Sequence, residues 1–406
     1  MRILEIITVP FFTPRGTAFS SLERTKALSR MGHCVDVLTY PLGDPVDLPN
    51  VSLHRAAKLP FINSLRMGPS FQKLVLDIFL AAKTARWLLA HGPYDLIIAH
   101  EESAFWVAFL RHCSRARFIY DMHSSLVEQL TNFKYSESGV VKKVFSTLEN
   151  FALRSADGII VICPELETLV RRTVPGCPVR LIENLPVSWD AEPSSSQEIQ
   201  RLKAELGLDG CKVAMYTGSF GWNQGVELAL DAVASLRNDF PELRLVLIGG
   251  TGADLCRVRA YAAQRDMESF SLVLEPQPHT AMPAYMEIAD VLLSPRCEGT
   301  NTPLKIYSYL QSGKPIVATD LLTHTQVLSA EVAELVAPDA VSLAAGIRRI
   351  LTDAEYAREL GLRGARLARE VYGIERYLEQ VQEILEQATA PDREREARQP
   401  AADRLP

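Results

Sequence analysis

Residues 289–319 read ADVLLSPRCEGTNTPLKIYSYLQSGKPIVAT. Val291–Ser294 is a short apolar run, a polar loop follows, Leu304–Gln311 has helical spacing, and Ile316–Thr319 is apolar again. Two apolar runs joined by a helix are the repeating unit of a parallel sheet covered on both faces. Thr302-Pro303 suits an N-cap and a first-turn proline, and Gly313 closes the helix. The free N–H groups at such a helix start, with the positive end of its dipole, form an anion site.

The same alternation extends outward. In the first half, apolar runs at Ile3–Thr8, Val35–Tyr40, Leu96–Ala99, Phe118–Tyr120, Gly158–Ile162 and Val179–Ile182 read as strands. Helical-period segments lie between most of them, at Ser20–Met31, Phe71–Ala90, Val140–Leu153 and Glu165–Arg172. The second half adds strands at Val213–Thr217, Leu243–Ile248 and Leu272–Leu274, with helices at Val226–Leu236, Leu255–Gln264, Ala281–Ile288 and Ala340–Leu351. A connector rich in Pro and Ser, 186–196, separates the halves. The expected architecture is α/β: two doubly wound parallel-sheet domains, 1–186 and 187–372, facing a central cleft. An amphipathic helix within 373–390 is expected to pack back on the first domain. The tail 391–406, with almost no large apolar residue, is expected to be disordered.

Composition sets the frame. Of 406 residues, 47% are hydrophobic and 23% charged, which excludes a disordered, collagen-like or disulfide-stapled chain. A net charge of −6 gives no global basic field for nucleic acid. Seven scattered cysteines without a close pair read as reduced thiols, and no zinc-ligand spacing occurs. MRILEIITVPFF opens directly into a strand, without a basic region and signal core, so the chain reads as cytoplasmic. Lys73, Asp77, Lys83 and Arg86 interrupt the most apolar helix, which therefore falls short of the ~20 residues a membrane span needs.

Ligands of doubly wound sheets bind beyond the carboxyl ends of the strands, so chemistry is sought in those loops. Lys305 lies in a first helical turn, where its charge opposes the dipole unless a diphosphate compensates it. Alone, it reads equally well as a lysine reaching water. Glu298 can accept hydrogen bonds from sugar hydroxyls, although a lone loop acid is ordinarily just solvated. In Tyr216-Thr-Gly-Ser-Phe-Gly-Trp-Asn-Gln-Gly225, Gly218 and Gly221 either let backbone amides cradle phosphate or simply make a tight turn. Gly249-Gly-Thr-Gly252 matches neither GxGxxG nor Walker A, which argues against hydride transfer and P-loop hydrolysis. The first domain offers Pro14-Arg-Gly-Thr17, His100-Glu-Glu102 and Asp121-Met-His-Ser-Ser125 after its strands. His123 can stack on or hydrogen-bond a sugar and titrates near neutrality, or is structural. No GxSxG elbow presents a serine nucleophile.

From about residue 3 to 388 the chain resembles a retaining, nucleotide-sugar-dependent glycosyltransferase of the GT-B fold, family 4, the glycosyl transferases group 1 type. The run PLKIYSYLQSGKPIVATD is similar to that family's P-x-K-x-x-E-Y-L-x-x-G-K-P-x-V-A-T segment, and Ala289–Pro295 and Tyr216-Thr-Gly218 also fit. The resemblance implies two Rossmann-like domains, a UDP- or GDP-linked sugar held by the second, an acceptor on the first, and transfer with retention and without a metal or other cofactor. It implies Glu298 at the donor sugar, amides around Asn301 and Thr302 holding sugar and phosphate, His123 facing the sugar, and Gly16 in the first loop. The chain departs from the family where its second acid aligns with Ser308, and where its Arg and Lys align with Ser219 and Gln224. Lys305, the helix start and Arg296 are then left to carry the diphosphate.

Residues 51–90 hold six basic residues (Arg55, Lys58, Arg66, Lys73, Lys83, Arg86) against Asp77 alone. Interleaved Phe61, Ile62, Leu65, Met67, Phe71 and Phe79 make this either a solvated face over a normal core or a contact for the cytoplasmic membrane face. On the second reading the acceptor is a lipid-linked sugar or lipid headgroup. Two other function classes stay open. One is a catalytically silent GT-B protein that binds nucleotide sugar or glycan, or partners an active subunit. The other is a GT-B epimerase, which needs more acid/base residues than the loops show.

Overall fold

The computed structural model describes residues 1–13, 16–62, 65, 70–125, 139–186, 189–190, 194–299 and 301–391. The chain forms two compact units, Met1–Glu183 joined by the chain from Tyr377 onward, and Asn184–Arg376. The first unit has seven strands: β1 (Arg2–Ile7), β2 (Cys34–Thr39), β3 (Val51–Arg55), β4 (Leu96–His100), β5 (Arg117–Met122), β6 (Gly158–Val161) and β7 (Val179–Leu181). All pair in parallel, in the order β3-β2-β1-β4-β5-β6-β7. Helices α1 (Thr17–Arg30), α2 (Phe71–His91), α3 (Ser103–Leu110), α4 (Gly139–Ser155) and α5 (Pro164–Thr173) lie between them.

After α6 (Ser196–Glu205), the second unit has six strands: β8 (Lys212–Thr217), β9 (Leu243–Ile248), β10 (Ser271–Leu274), β11 (Val291–Ser294), β12 (Ile316–Thr319) and β13 (Glu334–Val336). These too are all parallel, in the order β10-β9-β8-β11-β12-β13. Its helices are α7 (Val226–Leu236), α8 (Gly252–Gln264), α9 (Met282–Ile288), α10 (Lys305–Ser312), α11 (Leu322–Thr325), α12 (Ala340–Thr352) and α13 (Ala354–Val371). The last helix, α14 (Ile374–Thr389), buries Tyr377, Val381, Ile384, Leu385 and Ala388. Ile384 and Ala388 lie against Gly158 of β6, within about 3.2 Å of the place a Cβ would occupy.

The alternation of apolar runs and helices thus yields the two parallel α/β sheets it predicts. In each, the strand order reverses beside the unit's first strand, at β1/β4 and β8/β11, and the loops leaving those ends diverge to leave a crevice. Some elements escaped the pattern. The sheet-edge strand β3, VSLHR, is only partly buried and lacks an apolar run. Helix α3, SAFWVAFL, is apolar on every side and shows no helical period. On α2, Lys73 and Asp77 turn inward, Ile62 and Leu65 join the core, and Arg66 and Met67 lie outside the described residues, as do the connector positions 187–188 and 191–193 and the tail beyond Pro391. Of the basic residues expected on a surface face, Lys58 and Arg86 are the exposed ones described, while Phe61, Phe71, Leu74, Ile78 and Leu89 project outward. No described helix is long and apolar enough to cross a membrane.

Helix α10 is wedged between its sheet and α13. A Cβ on Gly361 would stand 2.0 Å from the Gly313 carbonyl oxygen, so only glycine fits at that crossing. Gly361→Ala should therefore cost about 1–3 kcal/mol through overpacking. A urea midpoint equal to that of the native chain would show that the two helices are not so tightly apposed.

Candidate active site

In the second unit, the loops after β8, β9 and β11 converge. Gly218 has a φ of +136°, a conformation L side chains avoid, and a Cβ there would lie 3.2 Å from both Lys305 Nζ and the Tyr216 hydroxyl. The Lys305 ammonium sits over the Tyr216 ring, 3.6 Å from its centroid. Tyr216 donates its hydroxyl hydrogen to the Ser219 carbonyl at 2.7 Å, with the Gln224 amide oxygen 3.3 Å away. Ser219 and Gln224, which stand where the resembled family has cations, are thus engaged around this tyrosine.

Arg296 enters from the other side. Its Nη1 donates to the Asn301 carbonyl at 2.9 Å and the Thr323 hydroxyl at 3.1 Å, and the guanidinium covers Gly299. Among the described residues, Arg296 Nε and Thr302 Oγ1 are buried without a hydrogen-bond partner. Among the described residues no carboxylate opposes either cation there: burial, and then the neighbouring Arg296, hold the Lys305 ammonium well below its ordinary pKa. Burial lowers that of Arg296 as well, with only Tyr216 acting against it. Two half-buried cations with no acid beside them among the described residues form an unfavourable arrangement that an anion would relieve.

The loop is pinned from β12 and α11. Thr319 donates its hydroxyl hydrogen to the Arg296 carbonyl at 2.6 Å, and Thr323 donates to the Asn301 carbonyl at 2.7 Å. His324 bridges the Ser294 hydroxyl and the Thr319 carbonyl, each at 2.8 Å. Burial pushes the His324 imidazole down to about 4, the Thr319 carbonyl opposing and Lys305 and Arg296 adding, so it is neutral at pH 7. Thr323 and His324 were not singled out from sequence; the signal available was the polar run THTQ just after the strand end at Thr319.

One expectation is corrected. Helix α10 begins at Lys305 with Leu304 as its N-cap, and Thr302 does not cap it. The Pro303 carbonyl already accepts the Ile306 N–H at 3.0 Å, so a proline turn precedes the helix and Thr302 is left facing elsewhere. Glu298 is exposed in the loop, Asn301 is half-buried, and Ser308 is buried within α10.

The first unit holds a different arrangement. Gly16 starts α1 with a φ of +48° and open space around it, so backbone geometry accounts for the glycine. His123, just beyond β5, is buried with His100, Asp121, Arg24 and Glu5. Arg24 Nε donates to Asp121 at 3.0 Å, and His100 Nε2 meets Glu5 at 2.8 Å. Burial raises the Asp121 pKa, but Arg24, His123 and His100 outweigh it and hold the carboxyl at about 2. Burial lowers that of His123 to about 4, Asp121 opposing and His100 and Arg24 adding. Neither Arg24 nor Glu5 was singled out from sequence, although a glutamate inside the apolar strand RILEII is an available signal. His100, Asp121 and His123 place possible metal-ligating atoms within 4.8 Å of one another, but Arg24 already supplies the positive charge there. Beside this group, Lys73 pairs with Glu102; burial and Glu102 raise Asp77 to about 7 and Glu101 to about 8.

Residues 14–185 match the model of glycosyltransferase family 4, and residues 198–366 that of the glycosyl transferases group 1. The fold is shared with solved GT-B structures. The chain belongs to the GT-B glycosyltransferases. The phosphatidyl-myo-inositol mannosyltransferase of Mycobacterium tuberculosis is 25% identical over 376 residues, covering 86% of this chain and 88% of that protein. Sucrose-phosphate synthase of Thermosynechococcus elongatus superposes with a TM-score of 0.76 at 22% identity, covering 95% of this chain and 99% of its own. Anabaena HepE, solved in complex with UDP-glucose, gives a TM-score of 0.72 at 17% identity over the same shares of each chain.

The uncompensated lysine has a signed consequence. Its depressed pKa means that the unfolded chain binds more protons than the folded one between that value and about 10.4, so ligand-free stability gains from Lys305 as pH rises through this window. Lys305→Met should remove that gain and stabilise the ligand-free protein by roughly 0.5–2 kcal/mol at pH 7. Urea titrations of both proteins between pH 7 and 10 check this, and a variant less stable than the parent at pH 7 contradicts it.

Proposed function

We propose that this GT-B glycosyltransferase moves a sugar from a UDP- or GDP-linked donor to a hydroxyl of a glycolipid-type acceptor, with retention and without a metal. The observation that carries the reading is the pair of acid-free cations, Lys305 and Arg296, at the start of α10 beside Gly218. Diphosphate oxygens would complete it, taking hydrogen bonds from Arg296 Nε and Thr302 Oγ1. Glu298 would accept from hydroxyls of the donor sugar, and Ser308 stands on α10 where the resembled family has its ribose-binding acid. As the anomeric C–O bond breaks, charge builds on the leaving phosphate and these groups stabilise it. The acceptor oxygen bonds to the same face of that carbon, and its proton passes to the leaving phosphate oxygen.

The acceptor class is supported by the likeness to the phosphatidyl-myo-inositol mannosyltransferase and by the outward Phe71, Leu74 and Ile78 of α2, whose spacing puts them on one stripe. We assign this stripe, with Lys58 and Arg86, to contact with an anionic membrane surface. The silent-protein reading rests on Ser219, Gln224 and Ser308; Lys305 and Arg296 supply two cations at the same loops and favour activity.

Glu298→Ala should lower sugar transfer about a hundredfold. Lys305→Met should weaken UDP or GDP binding by about 1–3 kcal/mol. Calorimetry with UDP, GDP and ADP on both proteins decides the site, and equal affinities remove Lys305 from it. Binding without turnover of any UDP- or GDP-sugar, tested with glycolipid extracts, would favour the silent protein. In flotation assays the native chain should follow vesicles containing phosphatidylglycerol, and Phe71→Ser/Ile78→Ser should not; an unaffected double variant would move the membrane contact off α2.

A further inference from the structure

We infer that Arg24 is a positioning residue for His123, acting through Asp121 and His100, and that Tyr377 of α14 holds Arg24 in place. The inference rests on the expectation, implied by the family resemblance, that His123 faces the transferred sugar. Five elements of the first unit meet here. Arg24 of α1 is buried, with its guanidinium carbon 5.1 Å from the centre of the Tyr377 ring and its Nε on Asp121 Oδ2. Asp121 Oδ1 is 3.4 Å from His123 Nε2, and its Oδ2 is 3.6 Å from His100 Nδ1. His100 Nδ1 stands 3.2 Å from His123 Nε2, the two rings stacked at 5.5 Å. Glu5 of β1 anchors the far nitrogen of His100 and receives the Thr25 hydroxyl at 2.7 Å.

The charge count explains why an arginine stands there. Asp121 is a fully buried acid, and a buried carboxylate requires compensation, whereas Glu5 is met by His100 and the Thr25 hydroxyl. Arg24 provides a cation that does not titrate in the physiological range. Without it, His123 would take a proton and become an imidazolium beside Asp121. With it, His123 stays neutral and its Nε2 edge is held between Asp121 and His100. Among the described residues, the titratable groups facing His123 are Asp121 from β5, His100 from β4 and Arg24 from α1. Glu5 and Tyr377 reach it through them, and Glu101 and Glu149 flank it through the Ser124 and Ser125 hydroxyls, at 3.0 and 3.1 Å. The terminal helix thereby reaches His123 through one stacked cation. A metal at His100, Asp121 and His123 is the competing use of this cluster.

Histidine-labelled full-length protein tests this by NMR, with the His123 signals identified by their loss in His123→Gln. In the native chain His123 should show no titration between pH 5 and 8 and a single tautomer. Arg24→Met should bring its midpoint up by one unit or more, into that range, while Arg24→Lys keeps it out. Should Arg24→Met not fold, Arg24→Met/Asp121→Asn removes both charges together, and His123 should then populate both tautomers. An unchanged midpoint in the single variant, or an unchanged tautomer in the double, overturns the inference, even if sugar transfer is confirmed. The expected changes in a protein that turns over no nucleotide sugar uphold the inference and sink the proposed function instead. One equivalent of Zn²⁺ shifting both histidines of the native chain would show a metal site and overturn it.

Discussion

Two cations without a counter-charge sit at the start of α10, and the surrounding architecture makes that arrangement possible. Lys305 is held over an aromatic ring and Arg296 is tethered by a carbonyl and a threonine hydroxyl, so neither is free to swing into water. Burial makes each charge costly, and each raises the cost of the other. Gly218 leaves room for the ammonium, Gly361 lets α13 press α10 against the sheet, and a neutral histidine ties the two strand ends together. The second unit therefore stores an electrostatic deficit that an anionic ligand removes. Ser219 and Gln224 carry no charge, and the two cations come instead from Lys305 and Arg296.

The first unit solves the opposite problem. Its crevice holds buried acids, and the fold answers them internally: Arg24 for Asp121, Lys73 for Glu102, and protons for Asp77 and Glu101, whose pKa values of about 7 and 8 place them partly neutral near physiological pH. Such networks are costly to disturb because removing one member leaves another charged and alone. The result is a neutral, oriented imidazole at His123. A charged crevice suits a diphosphate, whereas a compensated one suits hydroxyl groups.

Helix α2 links these ideas to the outer surface. Lys73 and Asp77, one turn apart, face the acids at the strand ends, while Phe71, Leu74 and Ile78 face outward. Reading all its basic residues as surface charges overcounts, because the same helix must also satisfy the interior.

The parallel sheets were legible because their strands are continuous apolar runs separated by helical periods, a local pattern that survives in one dimension. Glu298, Arg296, Lys305 and His123 were legible as polar residues at or near strand ends, and the fold places them there. Thr302 as a cap was legible and wrong: a proline turn satisfied the backbone first. Arg24, Glu5, His324 and Tyr377 escaped, as their meaning depends on partners far along the chain; Arg24 meets Asp121 across 97 residues. Local order prescribes strands, helices and turns through short-range sterics and burial. Which charges are neutralised and which are left waiting is decided only when distant elements pack, because compensation depends on distance and dehydration, and neither exists before the chain folds.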